Sequence, residues 1–409
     1  VTRRRVAAAA VLAALAPGAA TATASAAKPK TDATLRADLV RLAARAGGSG
    51  GFTVLDGKTG RIVAESRGTA ARPLGSTAKL LSTAAALRTL GAGRPLTTTV
   101  AIMAGVDAAG TLNGDLYLVG GGDPTLDEPG LQKLADAVVA RGIRTIAGSV
   151  VGDESLFDAL RGGPATGGAF DLNFAGAVGA LTYARGRQAP NGPLQPDPAR
   201  AAAYRFDDVL EARGLTIRGI PKAGVAPAGS ADLGRVATTV GAVVKVVDKQ
   251  SDDFAAEVLT KVLGAAHTGG AAGSGTTANG VAAIERNLYG LPLRPVDGSG
   301  VDPRTKGSTR ALARFVRRVR TIRSLASALP IAGVDGTLAA RMKRPPARRN
   351  CRAKTGSLPQ SRNSALAGWC RVGGRTLVFA LERAHVTSQA AAKAAEDAMV
   401  QRIAASRRR

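Results

Sequence analysis

Aromatic side chains are scarce in this sequence: eight Phe, four Tyr and one Trp, 3% of 409 residues. The core must therefore be built from Ala, Val and Leu, and no aromatics interleave the cations as a single-strand nucleic-acid platform would require. Histidine occurs twice, at His267 and His385, and cysteine twice, at Cys351 and Cys370. Neither histidine sits in a catalytic signature, which counts against a Ser/His/Asp triad, and these four residues make no zinc spacing. There is no G-x-x-x-x-G-K-[ST] loop to cradle phosphate, and no H-E-x-x-H. No metal or cofactor is expected. No apolar run reaches the about 20 residues of a membrane-spanning helix, so no transmembrane anchor is expected. Acidic residues are few, 30 against 56 Lys and Arg, for a formal charge of +26. That balance favours polyanions. A solvated basic face is one reading and contact with anionic envelope polymers another; specific nucleic-acid binding has no motif behind it.

The N-terminus is more informative. "VTRRR" is a basic region, Val6 to Ala16 an eleven-residue apolar stretch, and "ATASA" ends in small residues before a cleavage point after Ala26. This is the pattern of a secretory signal peptide over residues 1–26 and predicts an extracytoplasmic protein. Two cysteines in a secreted chain are disulfide candidates. Folding the segments between them into a symmetric hairpin pairs Cys351 with Cys370 and puts the turn near Gln360 and Ser361, so a cross-strand disulfide is preferred over two free thiols.

Along the chain, Leu35, Leu39 and Leu42 have helical spacing, and two strands follow around the turn "GKTG". A helix is expected from Ser76 to about Leu90. From about residue 96 to 240 short β-prone pieces, a helix at 130–142 and a Pro/Gly-rich passage suggest an inserted β-rich domain. Further helices are expected from near Asp252, through Leu288, over "STRALARFVRRVRTI" and at the C-terminus, with three strands in 351–384. The implied organisation is an α/β (α+β) domain made of residues 27–95 and 241–409, interrupted by an insert at 96–240.

Chemistry points to a serine activated by lysine. A hydroxyl is a poor nucleophile until a neighbouring base takes its proton, and a buried lysine beside another cation can do so. Ser76 and Lys79, three residues apart at a helix start, fit that need. Ser251 with Asp252 and Asp253, then Lys354-Thr355-Gly356, offer a proton relay and an anion clamp. Single fragments are weak: Ser25 to Lys28 also reads S-x-x-K, and Lys58-Thr59-Gly60 also reads K-T-G, the first at the cleavage point and the second in a turn.

The ordered trio resembles the S-x-x-K, S-D-N and K-T-G elements of penicillin-recognising serine enzymes. The stretches "GDLYLVGGGDPTL", "GDESLF", "DGSGV" and "LPIAGVDGTLAARM" are similar to class C low-molecular-mass penicillin-binding proteins, which are D-alanyl-D-alanine carboxypeptidases and endopeptidases of the bacterial wall. The resemblance implies a serine DD-peptidase fold, peptidoglycan peptides and β-lactams as partners, and anionic wall polymers as a further one. It implies Ser76 as acylated nucleophile, Lys79 as its base and Ser251 as proton relay. Lys354 and Thr355 would hold the terminal carboxylate, with Gly356 completing their motif. The backbone N–H groups of Ser76 and Ser357 would form the oxyanion hole, and Asp153 would lie near the donor side-chain amine. Two positions depart from the family pattern. Asp253 replaces an Asn, and a carboxylate only accepts hydrogen bonds; Ser357 replaces a Thr. A catalytically weak, wall-binding protein of the same fold is therefore the alternative expectation.

Overall fold

The computed structural model describes residues 32–45, 47–170, 174–358 and 362–406. The expected leader and the expected turn at Gln360 and Ser361 lie outside them. Strands Cys351–Leu358, Asn363–Val372, Arg375–Ala384, Ser49–Asp56 and Ile62–Ser66 lie side by side in that order, each neighbouring pair antiparallel. The first pair keeps one register throughout, Cys351 opposite Cys370, Lys354 opposite Ala367 and Leu358 opposite Asn363. It is the register of the symmetric hairpin, and a disulfide joins Cys351 to Cys370. Because Ser49–Asp56 pairs with Arg375–Ala384, the two ends of the sequence share one sheet.

The terminal helices Asp32–Ala44 and Gln389–Ala404 pack together, and Leu35, Leu39, Met399, Val400 and Ile403 share a core with Phe52 and Phe379 of the sheet. In the helix Thr309–Val319, Leu312, Phe315, Val316 and Val319 recur at i, i+3, i+4 and i+7 and are buried, while Arg314 and Arg318 are exposed. The basic run is thus one amphipathic helix. Its apolar face shares a second core with helices Lys79–Thr89, Val240–Gln250 and Asp253–His267. Ala84, Ala85 and Ala86 are fully buried there. Small side chains let these helices approach closely where aromatics are lacking.

Between residues 95 and 239 a separate five-stranded sheet runs Lys222–Ala223, Val150–Asp153, Leu116–Gly120, Pro95–Ile102, Ala231–Thr239. Helices Glu128–Ala140 and Pro198–Glu211 bury Leu134, Val138, Phe206 and Leu210 with it. Three of the described helices go beyond the sequence expectations, Pro198–Glu211, Val240–Gln250 and the short Arg323–Ala328. Pro198–Glu211 starts with Asp197 accepting from Arg200 N and Pro at its first position, the usual N-terminal chemistry. Val240–Gln250 is rich in β-branched residues, yet Val240, Val243, Val244 and Val247 fall on one buried helical face and Thr239 caps it. Tertiary burial overrides their weak helix propensity. Among the described residues no helix is long and apolar enough to cross a membrane.

Candidate active site

A 3-10 turn, Gly75–Ala78, leads into the helix Lys79–Thr89. Ser76 therefore precedes the α-helix, one tight turn earlier than the sequence reading places it, because Thr77 folds back on Leu74 O through its hydroxyl at 2.7 Å. Lys79 is fully buried. Its Nζ donates to Ser76 Oγ at 2.9 Å, to Ser299 O at 2.7 Å and to Asp253 Oδ1 at 2.5 Å. Three acceptors match the three donors of an ammonium.

The Ser299 carbonyl is aimed by a turn that two buried acids brace. Glu257, one helical turn beyond Asp253, accepts from Gly298 N at 3.1 Å and Ser299 N at 2.8 Å. Asp297 accepts from Gly300 N, Asp302 N and Thr305 Oγ1. Burial, with Asp297 adding to it and the Ser299 hydrogen bonds opposing it, pushes the Glu257 carboxyl up to about 7. Burial likewise raises Asp297.

Ser251 joins two helices and takes a left-handed conformation, φ 63°, which is strained for a residue with a Cβ. Its hydroxyl accepts from Lys354 Nζ at 2.7 Å, and the same ammonium donates to Thr355 O at 2.9 Å. Lys354 is fully buried; desolvation, reinforced by Lys79 and opposed by Asp248 and Asp253, pushes it down to about 7. Asp248, one turn before Ser251, is buried with neither oxygen hydrogen-bonded; the Thr83 hydroxyl beside it donates to Lys79 O instead. Burial pushes Asp248 up to about 7 against the pull of Lys354, Thr83, Lys79 and Lys249. The loop is clamped from the middle segment: Arg185 donates to Asp252 at 2.7 and 3.1 Å and lies 4.6 Å over the Phe254 ring.

Cys351–Leu358 is the edge strand. Ala353 donates its N–H off that edge, to Pro330 O, and the two-residue period of a strand puts the Thr355 and Ser357 N–H groups on the same side. A Cβ on Gly356 would stand 2.9 Å from Leu74 O, 3.0 Å from Thr77 N and 3.2 Å from Ser76 N; one on Gly75, whose φ is 52°, would stand 3.3 Å from Ser357 N. Glycine at both positions lets the Ser76 turn lie directly against the strand, with the Ser76 amide close to Gly356 and the Ser357 amide close to Gly75. A cleft of about 230 Å³ opens there, lined by Ser76, Ser251, Thr337, Arg341, Thr355, Gly356, Ser357 and Lys393.

Ser76, Lys79, Ser251, Asp253, Lys354, Thr355, Gly356 and Ser357 are thus brought together from three distant stretches. Asp153 is not among them. Its carboxylate is buried and accepts from Ser155 N and Ala226 N, both at 2.7 Å, so both oxygens already hold backbone. Sequence reasoning missed Asp248, Glu257, Thr337, Arg341, Lys393 and Arg185. Glu257 was accessible, since it shares a helical face with Asp253; Arg185 follows from tertiary folding alone.

A family model described as the D-Ala-D-Ala carboxypeptidase 3 (S13) family matches residues 35–187 and 179–406. A D-alanyl-D-alanine carboxypeptidase from Actinomadura sp. (strain R39) is 28% identical over 447 aligned positions, covering 88% of this chain and 81% of the relative. Penicillin binding protein 4 from Haemophilus influenzae, also solved with a β-lactam bound, superposes with a TM-score of 0.76 at 20% identity, covering 89% of this chain and 98% of that one. A predatory peptidoglycan endopeptidase from Bdellovibrio bacteriovorus gives 0.54 at 15% identity, over 83% of this chain and 87% of that one. These two structures share the α/β fold described above.

Proposed function

Because the chain belongs to the D-Ala-D-Ala carboxypeptidase 3 (S13) family of serine peptidases, we propose that it is an exported DD-peptidase that cleaves the D-Ala-D-Ala bond of peptidoglycan stem peptides through an acyl-enzyme at Ser76. β-Lactams are trapped at the same hydroxyl. The observation that carries this reading is the contact of a buried Lys79 with Ser76 Oγ at 2.9 Å, a nucleophile and base within reach of each other.

Ser76 Oγ attacks the carbonyl of the penultimate D-alanine and its proton passes to Lys79, which must first have released one of its own. The oxyanion sits between the Ser76 and Ser357 N–H groups. Lys354 and the Thr355 hydroxyl hold the terminal carboxylate. The C–N bond breaks as the leaving amine takes a proton through Ser251, replenished from Lys79 or Lys354. Water then hydrolyses the ester and frees Ser76. The excess of Lys and Arg suits residence among anionic wall polymers.

A second reading rests on one contact. Asp253, at 2.5 Å from Lys79, forms an ion pair that must be disrupted before Lys79 accepts a proton, which favours a slow enzyme that binds wall with little turnover. Release of D-alanine from a diacetyl-Lys-D-Ala-D-Ala peptide tests both readings. Release by the wild type and none by Ser76→Ala supports the peptidase; no release by wild type with recovery in Asp253→Asn supports the slow form.

A further inference from the structure

Past Thr355 the cleft holds two cations that the proposed reaction does not use. Thr337 is hydrogen-bonded to Thr355 at 3.0 Å, and four residues further on Arg341 is fixed against the helix Gln389–Ala404. Its Nε donates to Asp397 at 2.8 Å, and its Nη2 to Glu396 at 2.9 Å and to Lys393 O at 3.3 Å. Glu396 is itself fixed, fully buried and accepting from Ser364 Oγ at 2.6 Å. The two acids therefore orient the guanidinium, and Nη1 is left without a hydrogen bond among the described residues. Lys393 is exposed and stands one helical turn before Asp397, yet its Nζ makes no ion pair or hydrogen bond among those residues. Both Arg341 and Lys393 line the same cleft as Ser76.

The geometry points to a second anion subsite, formed by Arg341 Nη1 and Lys393 Nζ at the leaving-group end of the cleft, which selects leaving residues that carry a second carboxylate. A leaving residue of one carboxylate is held by Lys354 and Thr355 alone; a second carboxylate, on its side chain or farther along its chain, meets this pair. The fork of Arg341 is preset by Glu396 and Asp397, so little order is lost on binding. The direction of the cleft rests on the DD-peptidase reading; the presence of the anion site does not.

Binding is measured on full-length Ser76→Ala protein, which removes turnover from the readout. Two diacetyl-Lys peptides ending in D-Ala-D-Glu and D-Ala-D-Gln, equal in shape and different in charge, are titrated by NMR at low salt. The acidic peptide binds about fivefold more tightly, equivalent to about 1 kcal/mol. High salt reduces that preference. Lys393→Gln, at an exposed position that keeps the fold, lowers it below about twofold, and Lys393→Arg keeps it. Equal affinity for the two peptides, binding of neither, or a preference that survives Lys393→Gln overturns the subsite. Labelling of wild type by penicillin is scored separately: labelling without charge preference removes the subsite and spares the peptidase, and preference without labelling does the reverse.

Discussion

Asp253→Asn is expected to make the protein a faster acceptor of penicillin. Lys79 is fully buried and the Asp253 side chain is 30% exposed, with 2.5 Å between Nζ and Oδ1. Exposed ion pairs are worth about 0.2–1 kcal/mol and removal of a partner from a buried one costs about 3–5 kcal/mol. A half-open pair falls between, about 1–2 kcal/mol. That energy opposes the loss of the Lys79 proton that must precede acylation. Asn keeps a hydrogen-bond acceptor in place and removes the charge, so the acylation rate at neutral pH rises roughly 5- to 30-fold. The assay is the second-order rate of labelling by a fluorescent penicillin, with circular dichroism to confirm that both proteins are folded. A folded variant that labels at the wild-type rate or more slowly refutes the argument that this ion pair holds back the base.

Three further outcomes follow from the same groups. Lys354, pushed down to about 7, loses its proton as pH rises through neutrality, so the advantage of benzylpenicillin over its methyl ester in acylation falls several-fold between about pH 6 and about pH 8; a constant ratio contradicts a carboxylate held by Lys354. Asp248, raised to about 7, binds its proton more tightly in the folded than in the unfolded chain. It therefore contributes a loss of stability as pH rises from about 4 to about 7, at most about 4 kcal/mol. Asp248→Asn flattens that part of the Tm–pH curve, and parallel curves for the two proteins exclude the effect. Arg185→Ala removes the paired hydrogen bonds to Asp252, lowers stability by about 1–3 kcal/mol in urea unfolding and slows acylation roughly tenfold through a looser Ser251 loop. Arg185→Lys restores little of either, because one ammonium cannot replace the fork; full rescue by lysine counts against the clamp.

The parts of the fold that were legible in advance are those set by local pattern. The hairpin register came from the position of two cysteines, and the helix Thr309–Val319 lies inside the basic stretch expected to be helical. The proposed nucleophile and its neighbours were legible because the chemistry proposed for them requires particular residues in a particular order. What escaped was carried by long-range packing. Nothing near Val240 announces that its β-branched run will be buried against Lys79–Thr89, and nothing near Arg185 points to Asp252, 67 residues away. In sequence Asp248 looks like an ordinary helix-surface acid, and Glu257 is placed only on the same helical face as Asp253. Only the assembled core shows that they share low-dielectric space with two lysines, which is where the tuning of this site lies.

The most direct measurement is the mass of the penicillin adduct and its position after proteolysis, on wild type beside Ser76→Ala. One adduct per wild-type chain is expected, on the peptide containing Ser76, and none on the variant. An adduct elsewhere, or equal labelling of both proteins, would contradict acylation at Ser76.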